Sequence, residues 1–175
     1  MLDEQAFRQA LGGFPTGVAV VTAIDREGEP VGLTVSSFNS VSLAPPLVLF
    51  SVARAARHGE CLIAAEAFAI NVLCEHQREL STAFARAAAD RWERAQSRPG
   101  ATGSPVFPQA LAVFECRAVA RHDGGDHVIV VGEVVHFEIH RDERPLVFYR
   151  SRYRALDGYE GQVGAPPDVF LDWGW

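Results

Sequence analysis

The hydrophobic positions of this chain recur mainly with the period of β-strands. Two apolar runs, "GVAVVTAI" and "VGLTVSSF", flank the polar segment "DREGEP", so residues 17–38 predict a hairpin. "LVLFSV" and "FAINVL" predict two further strands. From residue 111 onward, "ALAVFECRAVARH", "HVIVVGEVVHFEIH" and "PLVFYRSRY" are separated by "DGGD" and "RDER", a pattern typical of an antiparallel meander with tight turns.

Helical spacing appears in three short segments. "DEQAFRQALGG" places Phe7 and Leu11 on one face, with Asp3 as N-cap and Gly12 as the end. "RHGECLIAAEA" and "EHQRELSTAFARAA" predict the other two helices, whereas "SLAPP" predicts the end of a strand and "SRPGATGSP" a surface loop. Six or seven strands with peripheral helices predict a mainly β fold, an antiparallel barrel formed by a single domain over residues 1–175.

Composition narrows the possible environments and partners. The chain has 175 residues, of which 48% are hydrophobic, and this suffices for one sizeable core. A formal net charge of −6 argues against nucleic-acid binding. No apolar run reaches the length of a membrane span, and "MLDEQAFRQALGG" lacks the features of a signal peptide, so the sequence predicts a cytoplasmic protein without membrane contact.

The sequence also argues against several common kinds of site. Cys61, Cys74 and Cys116 are widely spaced and form no CxxC motif, which predicts buried reduced thiols. His136 and His140 have the spacing of helical metal ligands but fall in a predicted strand, so we expect no metal. GxGxxG after a strand, a Walker loop, HExxH and GxSxG are all absent from the sequence.

One stretch, "GLTVSSFNSVSLAPPLVLFSV", combines an apolar frame with many small polar side chains. These are Thr34, Ser36, Ser37, Asn39, Ser40, Ser42 and Ser51. A single such residue is explained by bonds to local backbone, but each buried hydroxyl without a partner costs about 1 to 3 kcal/mol. The cluster therefore predicts solvent or a bound polar ligand, and a ligand with an apolar ring and a polar rim would suit it.

Four motifs in this order, "GLTVSSFNSVSLAPPLVLFSV", "FAINVL", "GDHVIVVGEV" and "PLVFYRSRYR", resemble the flavin reductase family. The resemblance extends from about Phe14 to Tyr153 and implies an FMN-binding split β-barrel with Greek-key-like topology. It further implies an NAD(P)H:flavin oxidoreductase that uses NADH or NADPH to reduce FMN or FAD. Homodimers and a partner flavin-dependent monooxygenase that receives reduced flavin are implied in the same way.

The resemblance also implies which residues contact the flavin. The segment matching the isoalloxazine site consists of Thr34, Val35, Ser36 and Ser37, and Ser51 and Val52 match the adjoining strand end. The loop "ARAARHGE", with Arg57 and His58, matches the segment that receives the ribityl and phosphate groups. For Arg57, an ordinary surface position is an equally open alternative.

For three further residues the resemblance implies a place near the flavin or nicotinamide, and a purely structural role is the alternative. His127 of "GDH" matches a histidine at the flavin face near the nicotinamide, and is the one catalytic candidate; it can instead cap the hairpin. Phe84 and Tyr149 match positions near the flavin, although Phe84 also fits a core position and Tyr149 barrel closure. Asn71 is better explained by bonds to backbone.

Two other functions stay open at this point. One is an enzyme of the same barrel that keeps its flavin and oxidises or reduces a small substrate, although the "GDH" motif favours the reductase. The other is a non-enzymatic flavin carrier. The aromatic tail "DVFLDWGW" predicts packing against a neighbour or a dimer partner.

Overall fold

Antiparallel strands dominate the computed structural model, which describes residues 2–140 and 143–156. The strands are β1 (Thr16–Gly17), β2 (Ala19–Ile24), β3 (Pro30–Val35), β4 (Asn39–Leu43), β5 (Pro46–Ala53), β6 (Ala67–Val72), β7 (Arg98–Pro99), β8 (Pro105–Val106), β9 (Ala112–Gly124), β10 (His127–Ile139), β11 (Val147–Tyr149) and β12 (Arg152–Arg154). The α-helices are α1 (Glu4–Leu11), α2 (Gly59–Ala64), α3 (Arg78–Ala85) and α4 (Arg91–Ala95), and a 3-10 turn, Glu75–Gln77, precedes α3.

The main sheet contains seven strands in the order β3-β2-β6-β9-β10-β5-β4. β3 ends at Val35 and β4 begins at Asn39, so only residues 36–38 connect the two edges. An extended chain covers at most about 14 Å in four residue steps. The edges of a flat seven-stranded sheet would lie about 29 Å apart. The sheet must therefore curl until its edges meet, which agrees with the predicted split barrel.

Ser37 fixes the seam between these two edges. Its Oγ accepts a hydrogen bond from the backbone N–H of Ser51 at 2.9 Å and donates one to the Ser51 carbonyl at 3.2 Å. Ser51 lies on β5, the neighbour of β4. One hydroxyl thus joins the segment that leaves β3 to the other side of the sheet.

Hydrophobic residues fill both faces of the sheet. Inside the curl, Phe50 packs edge-on against Phe68 at 5.0 Å between ring centroids, in a cluster that includes Val21 and Val130. The opposite face is covered by α3 and α4 through a second cluster, which contains Val18, Val20, Leu73, Phe84, Phe107 and Val113. Because β2 contributes to both clusters, its residues 19–23 are all buried rather than alternating.

Asn71 connects three segments beneath the second cluster. Its side-chain amide donates to the carbonyl of Val20 and to Thr22 Oγ1, both at 3.1 Å. Its Oδ1 accepts from the backbone N–H of Phe107 at 2.8 Å. The side chain is fully buried, and the expectation that it serves the fold rather than a ligand is confirmed by these bonds.

Two sequence-based assignments were wrong. The segment after Phe38 does not simply end a strand but forms β4, which pairs with β5. "SRPGATGSP" is not wholly a surface loop, since β7 and β8 pair and Ser104 is buried. The cause is Glu115, a buried carboxylate on β9 that accepts hydrogen bonds from the backbone and hydroxyl of Thr102 at 2.8 and 3.2 Å.

The other elements agree more closely with the sequence. The 17–38 hairpin, the strands at "LVLFSV" and "FAINVL" and the three expected helices are confirmed, and α4 is an additional helix. Asp3 caps α1 by accepting from the N–H groups of Gln5 and Ala6. The last hairpin, β11–β12, pairs with β1 in a separate sheet. The aromatic tail lies outside the described residues. Among the helices that are described, none has the length and apolarity that crossing a membrane requires.

Gly132 provides a test of the packing inside the barrel. A methyl group at this position would overlap the edge of the Phe68 ring, which is fully buried and held against Phe50. We expect Gly132→Ala to destabilise the fold by overpacking and to lower Tm by about 2 to 12 °C. Gly17→Ala is the matched control, because a methyl group there meets no atom within 4 Å. Equal melting temperatures for the two variants would contradict this packing.

Candidate functional site

Three of the sequence motifs meet at the seam of the barrel. β10 starts at His127, which is paired with Ala53 at the end of β5, and Ile129 is paired with Ser51. Ser51 in turn carries the two hydrogen bonds to Ser37. The structure therefore brings "TVSS", "FSV" and "GDH" together, as the resemblance implies.

The turn before His127 is fastened to the loop that follows β5. Arg54 donates from Nε to the carbonyl of Gly125 at 3.1 Å and pairs with Asp123 at 3.0 Å. His127 Nδ1 lies 2.7 Å from the Asp126 carboxylate, and this hydrogen bond lowers the pKa of Asp126. Since the His127 side chain is 45% exposed and Nδ1 is engaged, Nε2 is the ring nitrogen that can meet a ligand.

The hydroxyl-rich strand serves the fold more than the sequence suggests. Thr34 Oγ1 donates to the carbonyl of Ser81 on α3 at 2.7 Å, and the Ser37 hydroxyl is occupied at the seam. Because each hydroxyl hydrogen is engaged within the protein, these two residues can offer a ligand only an acceptor oxygen or a backbone group, and their role at the flavin stays a prediction. Ser36 is exposed, so its hydroxyl remains a candidate contact for the ligand.

Burial also limits what three apolar residues can contribute to ligand binding. Phe84 is 1% exposed and packs between Trp92 and Phe107, with ring centroids 4.9 and 5.4 Å away. Phe84 is therefore a core residue, which was the alternative to a position near the flavin, and its side chain offers a ligand almost no surface. The side chains of Val35 and Val52 are buried as well, so these residues can offer a ligand only backbone groups.

Tyr153, rather than Tyr149, is connected to the hydroxyl-rich strand in the described structure. The Tyr153 hydroxyl lies 2.8 Å from Ser81 Oγ, and the carbonyl of Ser81 accepts the bond from Thr34. Tyr149 lies on β11 of the small sheet, with the Arg150 guanidinium 5.2 Å from its ring centroid. Tyr149 stays a prediction without a contact to β3 that supports it.

A cluster of basic groups, Arg57, His58 and Arg91, forms the second part of the site. His58 has a left-handed backbone conformation with φ of 64° just before α2, and Arg91 begins α4. Within the described chain, His58 Nε2 and Arg91 Nε are both buried and have no hydrogen-bond partner. Buried polar atoms without partners are unfavourable, and their position beside Arg57 makes this cluster the candidate place for an anion.

The pKa values of this basic cluster show that its positive charge is poorly compensated. Burial lowers the pKa of His58 most, followed by the charges of Arg91 and Arg57, while Asp25 opposes the shift only weakly. Burial and then the Arg57 charge lower the pKa of Arg91. Since a lowered pKa leaves the imidazole neutral, the two arginines supply the charge. A bound anion would relieve their repulsion.

Arg91 was not among the site residues predicted from the sequence. It lies in the mixed-charge segment "RAAADRWERAQSR", which has the composition of a solvated helix. Its packing explains the difference, because Arg91 Nη1 donates to the carbonyl of Ala88 at 2.8 Å and its guanidinium lies 5.8 Å from the Trp92 ring centroid. The side chain is thus held in the protein rather than in solvent.

Together, the site fits a ligand with a planar, partly polar ring and an anionic group. Ser36 and the backbone around the seam can contact the ring, and Arg57, His58 and Arg91 can hold a phosphate. This donor set matches flavin mononucleotide, and it also suits the phosphate nearest the flavin in FAD.

Comparison with known proteins supports this interpretation. The family model described as a flavin reductase like domain matches residues 11–157. The chain is 49% identical over 150 residues to the FMN reductase (NADH) SmoA of Agrobacterium fabrum, covering 83% of this chain and 82% of SmoA. It is 37% identical over 156 residues to HsaB of Rhodococcus jostii, the reductase subunit of a flavin-dependent monooxygenase, covering 89% and 80% of the two chains.

A solved structure gives the same relationship in three dimensions. The NADH:FAD oxidoreductase SgcE6 of Streptomyces globisporus, in complex with NAD and FAD fragments, superposes with a TM-score of 0.84 at 34% identity. The match covers 91% of this chain and 98% of SgcE6. Two other curated relatives, both from Rhizobium meliloti, are longer, and this chain spans 44% and 60% of their lengths.

Proposed function

The chain belongs to the flavin reductase like domain family, and from this premise we propose that it is an NAD(P)H:flavin oxidoreductase that reduces FMN or FAD. The observation that carries the proposal is the basic cluster, which includes the loop after β5, the strand whose end pairs with the start of β10 at the seam. Hydride transfer between nicotinamide and flavin is chemistry that the two cofactors supply themselves. The protein has to bind, orient and shield them, which fits a site without a nucleophile or a carboxylate pair.

Each part of the site has a separate task in this proposal. Arg57 and Arg91 neutralise the flavin phosphate, and His58 offers its buried Nε2 as a hydrogen-bonding partner. Ser36 and the backbone at the seam contact the polar edge of the ring. His127, exposed at the rim and oriented by Asp126, meets the nicotinamide nucleotide through Nε2.

The named relatives favour a particular donor and a particular kind of partner. SmoA and SgcE6 are both named for NADH, so NADH is the favoured donor for this chain. HsaB is named as the reductase subunit of a flavin-dependent monooxygenase. We extend this to the present chain and infer that its reduced flavin serves a separate monooxygenase.

The basic cluster gives the first test of the proposal. Purified protein is assayed for NADH and NADPH oxidation with FMN, FAD or riboflavin added one at a time, and flavin affinity is measured by fluorescence. We expect Arg57→Gln and Arg91→Gln each to weaken FMN binding about 10-fold or more while riboflavin, which has no phosphate, binds as before. Arg117→Gln, on the exposed surface of β9, is the matched control.

The outcomes separate the competing functions. Flavin binding without NADH or NADPH oxidation would support the carrier, and flavin that survives gel filtration would support an enzyme that keeps it. Equal losses for FMN and riboflavin would assign the arginines to the fold instead of the phosphate.

His127 gives the second test, directed at the nicotinamide. We expect His127→Ala to raise KM for NADH about 3- to 100-fold and to leave flavin affinity nearly unchanged, because one hydrogen bond to the dinucleotide is lost. His122→Ala, an exposed histidine on the same hairpin, should behave like the unmodified protein. A lowered Tm with equal losses for flavin and NADH would show that His127 only caps the hairpin.

We also propose that the protein is a homodimer. Phe137 and Ile139 lie on one face of β10, Val135 sits at a β-bulge just before them, and all three are exposed, Ile139 to 75%. β5 pairs with β10 only from His127 to Glu133, so beyond that point β10 is paired with β9 alone and presents an open edge as well as an apolar face. α1 likewise buries none of its residues within the described chain, although Phe7 and Leu11 are apolar. A second copy of the chain would cover such surfaces.

Charged substitutions on the apolar surface of β10 test whether it forms the dimer contact. The double variant Phe137→Glu with Ile139→Glu should shift the protein from dimer to monomer in light scattering at micromolar concentration, because buried carboxylates oppose association. Ile24→Glu adds one charge at another exposed apolar position and should leave the dimer intact. A monomeric unmodified protein would refute the proposal, and a dimeric double variant would exclude this face.

A further inference from the structure

A second site of a different chemical kind lies where β6 meets the segment before β11. We propose that Cys74, His76 and Glu143 bind a divalent transition metal ion of the zinc type. The ligand atoms of the three side chains all lie within 4.8 Å of one another. None of these residues belongs to the candidate flavin site, so the proposal does not depend on the proposed function.

The distances suit a small tetrahedral ion. Cys74 Sγ lies 3.4 Å from His76 Nδ1 and 3.3 Å from Nε2, against the face of the ring, and Nδ1 lies 2.9 Å from Glu143 Oε2. Metal–ligand bonds of about 2.0 to 2.3 Å at tetrahedral angles separate sulfur from nitrogen by about 3.5 Å and nitrogen from oxygen by about 3.3 Å. Binding an ion would therefore require the half-exposed His76 ring to turn its Nδ1 toward Sγ, together with a shift of a few tenths of an ångström that opens the His76–Glu143 contact.

The donor set favours zinc over the common hard cations. A thiolate and an imidazole are ligands of zinc and cobalt, whereas calcium and magnesium require mainly oxygen ligands. A thiolate, a carboxylate and a neutral imidazole together carry two negative charges, which a divalent cation balances. Gln77 Oε1, 3.2 Å from Cys74 Sγ, or a water molecule can complete the coordination.

The backbone holds the ligands in place. Cys74 forms a β-bridge with Pro145, and the N–H of Glu75 donates to the carbonyl of Arg144 at 2.8 Å. These bonds fix the two chain segments beside each other independently of the ligands. Cys74 is buried, but the His76 side chain is 51% exposed, so an ion can enter from solvent at this corner.

This site departs from the expectation of no metal. The sequence offers only a Cys-x-His spacing, and its third ligand is far away along the chain, where no motif marks it. A metal here would fasten the end of β6, just before α3, to the segment that leads into β11 and β12. It would thus stabilise the hairpin that carries Tyr149 and Tyr153.

The test uses the full chain without a histidine tag, treated with chelator and titrated with Co²⁺ and Zn²⁺. We expect one ion per chain, with the thiolate-to-cobalt charge-transfer band and the visible bands of tetrahedral Co²⁺. Free Zn²⁺ at 100 times Kd should raise Tm by about 5 to 11 °C. Cys74→Ser should abolish the charge-transfer band, and His76→Gln and Glu143→Gln should weaken binding at least about 10-fold.

Matched variants distinguish this site from weak surface binding. Cys61→Ser and His122→Ala remove a thiol and an imidazole elsewhere and should leave cobalt binding unchanged. His76→Gln changes an exposed side chain, so it remains informative if Cys74→Ser fails to fold. Binding without saturation at one ion per chain, or a charge-transfer band that persists in Cys74→Ser, would overturn the proposal.

Discussion

The short connection between β3 and β4 is the constraint on which the rest of the structure depends. Residues 36–38 have to join strands at opposite edges of a seven-stranded sheet, and a connection of this length is possible only if the sheet curls. Curling creates an interior that Phe50 and Phe68 fill. It also creates a seam, which the Ser37 hydroxyl fastens through both backbone groups of Ser51.

The seam explains why the candidate site lies where it does. A strand end, a hairpin start and a loop of basic residues meet there because β5 pairs with β10 on one side and approaches β3 on the other. The backbone near the seam also needs hydrogen-bond partners. The hydroxyls of Thr34 and Ser37 provide them, to the carbonyls of Ser81 and Ser51. What remains available to a ligand is the exposed Ser36, the backbone of the seam and the basic cluster.

The sequence predicted the local elements well and the long-range ones poorly. Alternation and turn residues were sufficient for the 17–38 hairpin and for β9 with β10, because these depend on neighbouring residues. β4 was missed, since its exposed alternate residues look like a loop until β5 pairs with it. Arg91 was not predicted for a related reason: its burial and the nearby charge of Arg57, which together lower its pKa, arise only in the fold.

In the proposed site, the basic cluster departs from the rules that stabilise a fold. The stability of the fold alone would favour a carboxylate that pairs with Arg57 and Arg91. Asp25 is the acidic group that opposes their effect on the pKa of His58, and it does so only weakly. The lowered pKa of His58 means that the unfolded chain binds its proton more tightly, so this group contributes less stability as pH falls below its ordinary value of 6.5. An anion held by the same groups would favour the protonated imidazole and reverse that trend. Without an anion, the repulsion among these groups therefore lowers the stability of the folded protein. Binding a phosphate relieves the repulsion, which adds to the affinity for that phosphate.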